Sequence, residues 1–390
     1  MNESNVTNIK DITDLRRKRK KRRNVQKFIG FMAILVLSLG LYVSRDRWMP
    51  KMNGGNKLIT DDEVSNENFP LKITNGVDYQ SCQLGKGFAL LSDTRLYIYS
   101  VDGELIDTRT NSYPNTILKY GGNRALLYEQ SGYNFKIESR GRTVYEKQID
   151  NQIILASISD KGYVAIVSMS DQYVCELTVY DADGDEIYFR GCVERIMDVS
   201  FNHDSSGCYM ISVSASEGQL VSTATAVNFN SDKNLWKPDE PLDTCCISSY
   251  STEDNGLFVF GDTCCAYYNS KGQRELYYTY ASSLIDASFR SGKAAALFES
   301  KERRKNTMVL FEKPDKDHVE VQINKSVKSI FAEENAVYLM TDNEIDAYSY
   351  SGKLLKSKQI SDTYSQFYKI GNYIMLLGYN KIDRIEFDLK

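Results

Sequence analysis

From residue 69 onward, the chain alternates short apolar segments with polar turns that contain glycine or asparagine. One unit recurs eight times and consists of an apolar segment, a Gly or Asn turn and a second apolar segment. Its copies are 82–92, 118–128, 157–168, 200–213, 249–261, 288–298, 330–341 and 368–378. Short apolar runs bounded by turn residues are typical of β-strands that are buried on both faces. Each copy therefore predicts a hairpin of two inner strands.

A second, more polar unit lies between these copies. Its clearest copies are 96–108, 177–189, 266–278 and 346–358, and weaker ones are 133–147, 225–237 and 308–322. Glycine occupies the tips, as in Asp102-Gly103 and Asp183-Gly184. Glycine adopts positive φ at little cost, which two-residue hairpin turns require. This unit predicts a hairpin of half-exposed strands joined by a two-residue turn.

The two units together repeat along the chain. Gly87 and Asn123 are 36 residues apart, and Gly207 and Gly256 are 49 apart. A period of about 40 residues with four strands per unit indicates a β-propeller. We predict an all-β fold with eight blades, or seven if the degenerate unit at 196–240 is an insertion. The last unit has one further strand, 382–389, and the strand at 69–74 can supply its missing partner and close the ring.

An uncharged segment precedes the repeats. It begins with Phe28, ends with Ser44 and holds seventeen residues, and eight consecutive basic residues, 16–23, come before it. A membrane-spanning helix needs roughly 17–25 apolar residues. A cleaved signal peptide would have a shorter apolar region followed by small residues, whereas this segment runs into Arg45-Asp46-Arg47. We predict an uncleaved signal-anchor helix over residues 25–44 that contacts the lipid bilayer from Phe28 to Ser44.

Basic residues flank this predicted helix unevenly. Ten Lys and Arg lie within the first 27 residues, against Arg45, Arg47 and Lys51 just after the helix. Because basic flanks stay on the cytoplasmic side, we predict a single-pass plasma-membrane protein with a cytoplasmic N-terminus and an extracytoplasmic C-terminal domain. Residues 1–24 predict a disordered basic tail, 45–68 a flexible linker, and 69–390 the propeller.

Charge and composition narrow the function. Beyond residue 27 the chain has 38 Lys and Arg against 49 Asp and Glu. A net charge of −11 argues against a nucleic-acid partner. Only two histidines are present, His203 and His318, which disfavours histidine-based catalysis and multi-histidine metal sites.

Repeats of the form hhhY-x-x-x-G run from Leu96 to Gly103, from Leu177 to Gly184 and from Ile345 to Gly352. Together with the basic tail and the single apolar segment, they resemble an uncharacterised family. Its members are single-pass, β-propeller-like membrane proteins of clostridial Gram-positive bacteria, with repeats of the WD40 or PQQ-like kind. The resemblance implies an outer-surface location and transfers no activity or site residues.

Two motifs suggest chemistry, but each is better explained as a turn. Residues 203–206, His-Asp-Ser-Ser, contain the residue types of a hydrolase triad, yet a triad converges from separate parts of a fold. Asp181, Asp183 and Asp185 surround Gly184 and suggest a calcium loop, but the spacing differs from that of an EF-hand. The sequence therefore predicts no catalytic, cofactor-binding or metal-binding residues and requires no cofactor.

The eight cysteines suggest one pair. Cys175 lies eight residues before Asp183, and Cys192 lies eight residues after Gly184. A two-residue turn at Asp183-Gly184 makes them cross-strand neighbours, within the range that a disulfide tolerates. Residues 245–246 and 264–265 fall on the first and third strands of one blade, too far apart to bridge. Whether Cys175 and Cys192 form a bridge or remain free thiols is left open.

These features predict a membrane-tethered extracytoplasmic propeller that acts as a binding or scaffold domain for protein partners at the cell envelope. The alternative is a propeller that binds or cleaves cell-wall glycans. An enzyme of that kind would need convergent carboxylates and exposed aromatic residues at the mouth of the central channel. No motif demands catalysis, so the sequence favours a binding role without deciding the question.

Overall fold

The computed structural model of the protein describes residues 68–73, 78–300, 305–313 and 317–389. Within them the chain forms 32 β-strands in eight four-stranded antiparallel sheets, the blades of a β-propeller. The predicted basic tail and signal-anchor helix, and the linker as far as residue 67, lie outside the described residues. The described part contains no helix that is long and apolar enough to cross a membrane.

Each blade is numbered in chain order, and its strands run from the central channel outward. Blades 1 to 4 contain β2 (Gln80–Leu84), β3 (Gly87–Leu91), β4 (Arg95–Ser100) and β5 (Leu105–Thr110); β6 (Thr116–Gly121), β7 (Arg124–Glu129), β8 (Asn134–Ser139) and β9 (Thr143–Gln148); β10 (Ile153–Ile158), β11 (Val164–Ser168), β12 (Cys175–Tyr180) and β13 (Glu186–Cys192); β14 (Arg195–Phe201), β15 (Gly207–Ser216), β16 (Gln219–Asn228) and β17 (Asn234–Trp236). Blades 5 to 8 contain β18 (Cys246–Ser251), β19 (Leu257–Gly261), β20 (Cys264–Tyr268) and β21 (Arg274–Thr279); β22 (Leu284–Arg290), β23 (Lys293–Glu299), β24 (Asn306–Phe311) and β25 (Val319–Ile323); β26 (Val327–Ala332), β27 (Val337–Thr341), β28 (Glu344–Tyr348) and β29 (Leu354–Gln359); β30 (Tyr364–Ile370), β31 (Tyr373–Gly378), β32 (Lys381–Glu386) and β1 (Leu71–Lys72).

The eight-blade prediction is confirmed, and the seven-blade alternative is wrong. The degenerate unit at 196–240 is not an insertion, because it forms blade 4 with all four strands. Its outer strand β17 has only three residues, while β15 and β16 have ten each. The unit looked degenerate because its long middle hairpin displaces the short outer strand along the chain.

Blade 8 is closed by the N-terminal strand, as the sequence predicted. Leu71 pairs with Ile382, and the Ile73 N–H donates to the Asn380 carbonyl at 2.8 Å. The strand is shorter than the predicted 69–74. Ahead of it, the Asn68 carbonyl lies 2.4 Å from where a Cβ on Gly103 would stand, so the entering chain packs directly against the outer turn of blade 1.

The core is divided among the eight interfaces between neighbouring blades, and each interface holds one hydrophobic cluster. The second strand of a blade is covered on both faces and paired on both edges, so all five residues of β3, β11, β19 and β27 are buried. Full burial of a Leu or Phe side chain contributes about 1.5–3 kcal/mol. Side-chain packing between blades therefore holds the ring together.

The clearest outer hairpins correct the predicted two-residue turn. In blade 3 the Asp181 N–H donates to the Asp185 carbonyl at 2.8 Å, so the turn has three central residues, the last of which is Gly184 at φ 94°. A one-residue bulge at Ile187 follows. The extra turn residue and the bulge cancel, so the rest of the hairpin returns to the register that a two-residue turn would produce. The same three-residue turn and bulge occur at Gly103, Gly272 and Gly352.

Candidate interaction surface at the mouth of the central channel

The antiparallel order of the strands gives the propeller two faces. We call upper the face formed by the loops between the second and third strands of a blade and by the loops between blades. The lower face carries the remaining turns, and it includes Gly103 and the adjacent Asn68. The chain therefore enters the propeller on the lower face.

A repeated irregularity shapes the upper mouth of the channel. The inner strands of blades 3 to 8 each contain a one-residue bulge, at the third position in β14 and at the second in the others, whereas β2 and β6 pair regularly. A bulged residue has no partner across the ladder, and its side chain is re-aimed. The bulged residues are Ile154, Met197, Ile247, Ile285, Lys328 and Ser365.

Three of these bulged residues expose apolar side chains on adjacent blades. Met197 is 37% exposed, Ile247 59% and Ile285 41%. They stand at equivalent positions of successive inner strands. The strands are joined by Asp198, which reaches from β14 to Ser249 of β18, and by the stacked rings of Tyr250 and Phe289, 5.4 Å apart. The bulges thus build an apolar crescent at the channel mouth.

The carboxylates that follow two of the bulges act in the framework. The Asp198 carboxylate accepts the Ser249 N–H at 2.7 Å and the Ser249 hydroxyl at 2.8 Å. The Asp286 carboxylate accepts the Ile330 N–H at 3.3 Å, and burial raises the pKa of Asp286. Both groups bind the backbone of the next blade, so their acceptor atoms already hold the inner ring together.

The loops of blades 3 and 4 extend the crescent outward. Tyr173 packs its ring on Gly191, and the Arg195 guanidinium contacts the Met169 sulfur at 3.9 Å. Val193 is 82% exposed. We call the combined surface the upper apolar patch: Met169, Tyr173, Val174, Val193, Met197, Leu220, Ile247 and Ile285. Single exposed hydrophobic residues are normal, but a concentration of them on one face marks an interaction site.

The two faces differ in how many large hydrophobic residues they expose. Among the described residues, Tyr133 and Tyr379 are further exposed large hydrophobic residues on the upper face. On the lower face the described residues include only Tyr120 of this kind, at the end of an inner strand. The remaining ones lie on the outermost strands of the blades. Exposed apolar area is therefore concentrated on the upper face of blades 3 to 6.

The upper face is also strongly acidic. Its described loops contain twelve Asp or Glu and three Lys. Those acidic residues are Asp78, Asp93, Asp150, Asp171, Glu194, Glu217, Asp239, Glu240, Asp243, Asp262, Asp342 and Asp362. The described turns of the lower face have fourteen acidic and eight basic residues. Within the described loops, the upper face around the upper apolar patch therefore carries a net negative charge.

Inside the ring, inner-strand residues of blades 2 to 6, Ile247 among them, line a polar cavity of about 640 Å³. His203 and Ser205 from the suggested triad line it. Asp204 accepts the Ser206 N–H at 3.0 Å and the Ser206 hydroxyl at 2.7 Å, and these bonds lower the pKa of Asp204. Residues 203–206 thus form a hydrogen-bonded turn, and Asp204 is not directed to His203 by any of these bonds.

The acidic loop at 181–185 is likewise held as a turn. One oxygen of Asp181 accepts the N–H groups of Asp183 and Asp185, each at 2.9 Å. Across the described residues there is no group of three His, Cys, Asp or Glu side chains that could hold a metal ion. A cation in this loop would need the Asp181 carboxylate as a ligand, but that carboxylate stabilises the backbone of the turn.

The cysteines fall into two arrangements. The register of β12 and β13 places Cys175 directly opposite Cys192. The proximity of the two thiols lowers the pKa of Cys175 and raises the pKa of Cys192. Cys246 and Cys264 lie on the first and third strands of blade 5, with β19 between them. All eight cysteines are free thiols in the structure.

Sequence reasoning missed the bulges, although the chain carries a partial signal for them. Inner strands with one face on each neighbouring blade should alternate, yet apolar pairs span the bulge in β10, β14, β18 and β22. A similar pair, Ile117-Leu118, occurs in β6, which pairs regularly, and the bulges of β26 and β30 hold Lys328 and Ser365. A doubled apolar residue near the start of an inner strand therefore does not by itself identify a bulge.

Comparison with known proteins supports the fold. BamB from Moraxella catarrhalis is 10% identical, with a TM-score of 0.52 over 82% of this chain and 100% of that chain. A eukaryotic initiation factor is 13% identical, with a TM-score of 0.55 over 80% and 86% of the two chains. Apo AztD from Citrobacter koseri is 11% identical, with a TM-score of 0.52 over 80% and 94%. At these identities the similarity concerns the fold alone.

The sequence comparisons add a family. The model of DUF5711, described as a family of unknown function, matches residues 59–387. No curated protein sequence matches the chain. These results agree with the predicted resemblance to an uncharacterised family of propeller-like proteins, while a clostridial origin and a single membrane span remain predictions.

Proposed function

Because the chain belongs to DUF5711 and folds as an eight-bladed propeller, we propose that it is a membrane-tethered binding domain that holds a protein partner on its upper face. One observation carries this proposal: eight large hydrophobic side chains are exposed together on blades 3 to 6 of that face. Such a surface costs free energy in water and is stabilised when a partner covers it. The predicted charge asymmetry around residues 28–44 adds the membrane tether and an extracytoplasmic location.

The entry point of the chain is compatible with this role. Asn68, the first described residue, lies at the lower face beside Gly103, on the side opposite to the upper apolar patch. A rigid ring with a large presented face suits binding or scaffolding at the cell envelope.

Site-specific photo-crosslinking in living cells tests the proposal. A photoreactive amino acid replaces Ile247 in the full chain, and in a matched control it replaces Leu235. The two residues are 59% and 60% exposed, but Leu235 lies on the outermost strand of blade 4. We expect a polypeptide adduct from position 247 that position 235 does not form. Adducts with lipid or glycan alone, with a second copy of the chain, or equally from both positions would contradict the proposal.

The predicted extracytoplasmic location of the propeller is tested on the same cells. Protease added to intact protoplasts should digest the propeller and leave the N-terminal tail intact. A propeller that is cut only after the membrane is opened would exclude an extracytoplasmic domain. The crosslinking result at Ile247 would still decide whether the upper face binds a protein.

A further inference from the structure

We infer that the element bound by the upper apolar patch is an apolar polypeptide segment flanked by Lys and Arg residues. This inference rests on the proposed function and specifies the chemistry of the partner. It follows from two separate features of the upper face, the aliphatic crescent at the channel mouth and the acidic loops around it.

The crescent determines the apolar part of the segment. Met197, Ile247 and Ile285 are the bulged residues of three adjacent inner strands, so they form a curved row, of which Ile247 also lines the central cavity. Such a row accommodates several side chains of an elongated segment. Burial of its exposed aliphatic surface supplies the driving force for binding but little selectivity.

The loops determine the charged part. Asp171, Glu194, Glu217, Asp243 and Asp262 lie in the upper loops of blades 3 to 5, where the patch lies. Lys237 and Lys305 in the described upper loops, together with Arg195 beside Met169, offset these carboxylates only in part. Lys325 lies farther away in blade 7 and is already engaged by Glu344 at 2.5 Å and Asp346 at 2.8 Å. Basic residues beside the apolar segment would therefore meet a net negative charge.

The same charges disfavour other occupants. Nucleic acid and anionic lipid headgroups would be repelled by the acidic loops. Two copies of this chain joined through their upper faces would bring like charges together, because a two-fold interface uses the same surface twice. A different polypeptide with basic flanks avoids both penalties.

Binding of three synthetic peptides to the full chain in nanodiscs of zwitterionic lipid tests the inference. The peptides share one apolar core and carry flanks of Lys, Gln or Glu. We expect the Lys-flanked peptide to bind about tenfold tighter than the Glu-flanked one, with the difference shrinking at high salt. The Ile247→Glu substitution should weaken the binding of the Lys-flanked peptide, whereas Leu235→Glu should not.

Charge reversal on each face provides the matched comparison. Asp171→Lys, Glu217→Lys and Asp243→Lys together should reverse the order of the peptides. A control triple on exposed lower-face positions, Glu104→Lys, Asp183→Lys and Asp232→Lys, changes the net charge equally and should leave the order unchanged. Folding of both triples is checked by their thermal unfolding.

Three outcomes would overturn the inference: equal binding of the three peptides, equal effects of the two triples, and equal binding to empty nanodiscs. The crosslinking result separates this failure from that of the proposed function. A polypeptide captured from position 247 without any preference for Lys flanks would leave the proposed function standing and remove only the basic partner. If position 247 captures no polypeptide, the proposed function fails as well.

Discussion

At the scale of single residues, Cys175 and Cys192 form a coupled pair of thiols. They are strand partners, and both are buried in the hydrophobic cluster between blades 3 and 4. The neighbouring Cys192 thiol lowers the pKa of Cys175 below the usual cysteine value, so its thiolate forms more easily than that of an ordinary cysteine. An oxidant that reaches the pair meets a nucleophile with a second thiol beside it.

We propose that mild oxidation joins these two residues. With diamide as oxidant, the two thiols lose two electrons and two protons, a disulfide forms, and the azo compound is reduced to the hydrazine. We expect mass spectrometry of the folded chain to find a Cys175–Cys192 crosslink. The closed loop would stabilise the domain by up to about 3 kcal/mol, less any strain. The Cys192→Ser variant is the control, and a dominant bond from either residue to Cys208 would contradict the proposal.

At the scale of elements, the ring depends on a very short strand. β1 makes two residue pairs with β32, and one further backbone bond comes from Ile73. Most of the closure must therefore come from side chains. Ile73 is 4% exposed and packs in the cluster between blades 8 and 1. An unclosed blade 8 would present an unpaired edge to solvent.

Truncation of Ile73 measures this contribution. Ile73→Ala should lower the free energy of unfolding by about 2–4 kcal/mol, because it leaves a cavity at the seam of the ring. Leu354→Ala, on the exposed outer strand β29, should change it by about 0.5 kcal/mol or less. Urea unfolding of both variants provides the measurement. Equal effects would mean that the N-terminal strand does not hold the ring closed.

At the scale of the whole molecule, the blade interfaces bury many tyrosine and cysteine side chains, whose O–H and S–H groups ionise at high pH. Burial raises the pKa of Tyr268 and Tyr338 to about 12, from 10.0, and that of Cys82 and Cys208 to about 12, from 9.0. The unfolded chain loses these protons first as the pH rises. The stability that these groups contribute is therefore complete below about pH 9 and is lost between about pH 9 and 12.

Alkaline unfolding is the expected consequence. The urea midpoint should fall steeply as the pH rises above about 10. Tyr268→Phe should make the fall shallower by up to about 1.4 kcal/mol per pH unit, because one fewer proton is released on unfolding. The control is Tyr379→Phe, at a tyrosine that is 64% exposed, and it should leave the slope unchanged. Constant stability up to pH 11 would show that these side chains are not buried in solution.

Much of the fold followed from local pattern. The eight apolar hairpins, the outer hairpins and the strand that closes the ring can be predicted because apolar periodicity and glycine placement act over a few residues. The opposition of Cys175 and Cys192 followed from counting, although the turn and the bulge differ from the predicted geometry by two compensating residues. The pairing of two distant strand residues depends only on the total number of residues between them, so it was predicted correctly. The type of turn depends on where each residue lies, so it was not.

The interaction surface could not be predicted in the same way. Ile247 and Phe258 both read as apolar strand residues, yet Ile247 is 59% exposed and Phe258 is fully buried. The difference arises because β19 is enclosed between blades, while β18 borders the open channel and bulges there. The sequence by itself determined which segments become strands and how many blades they form, since those properties depend on neighbours along the chain. Only the tertiary structure decided which apolar side chains stay exposed on one acidic face, since that depends on which blades meet around the channel.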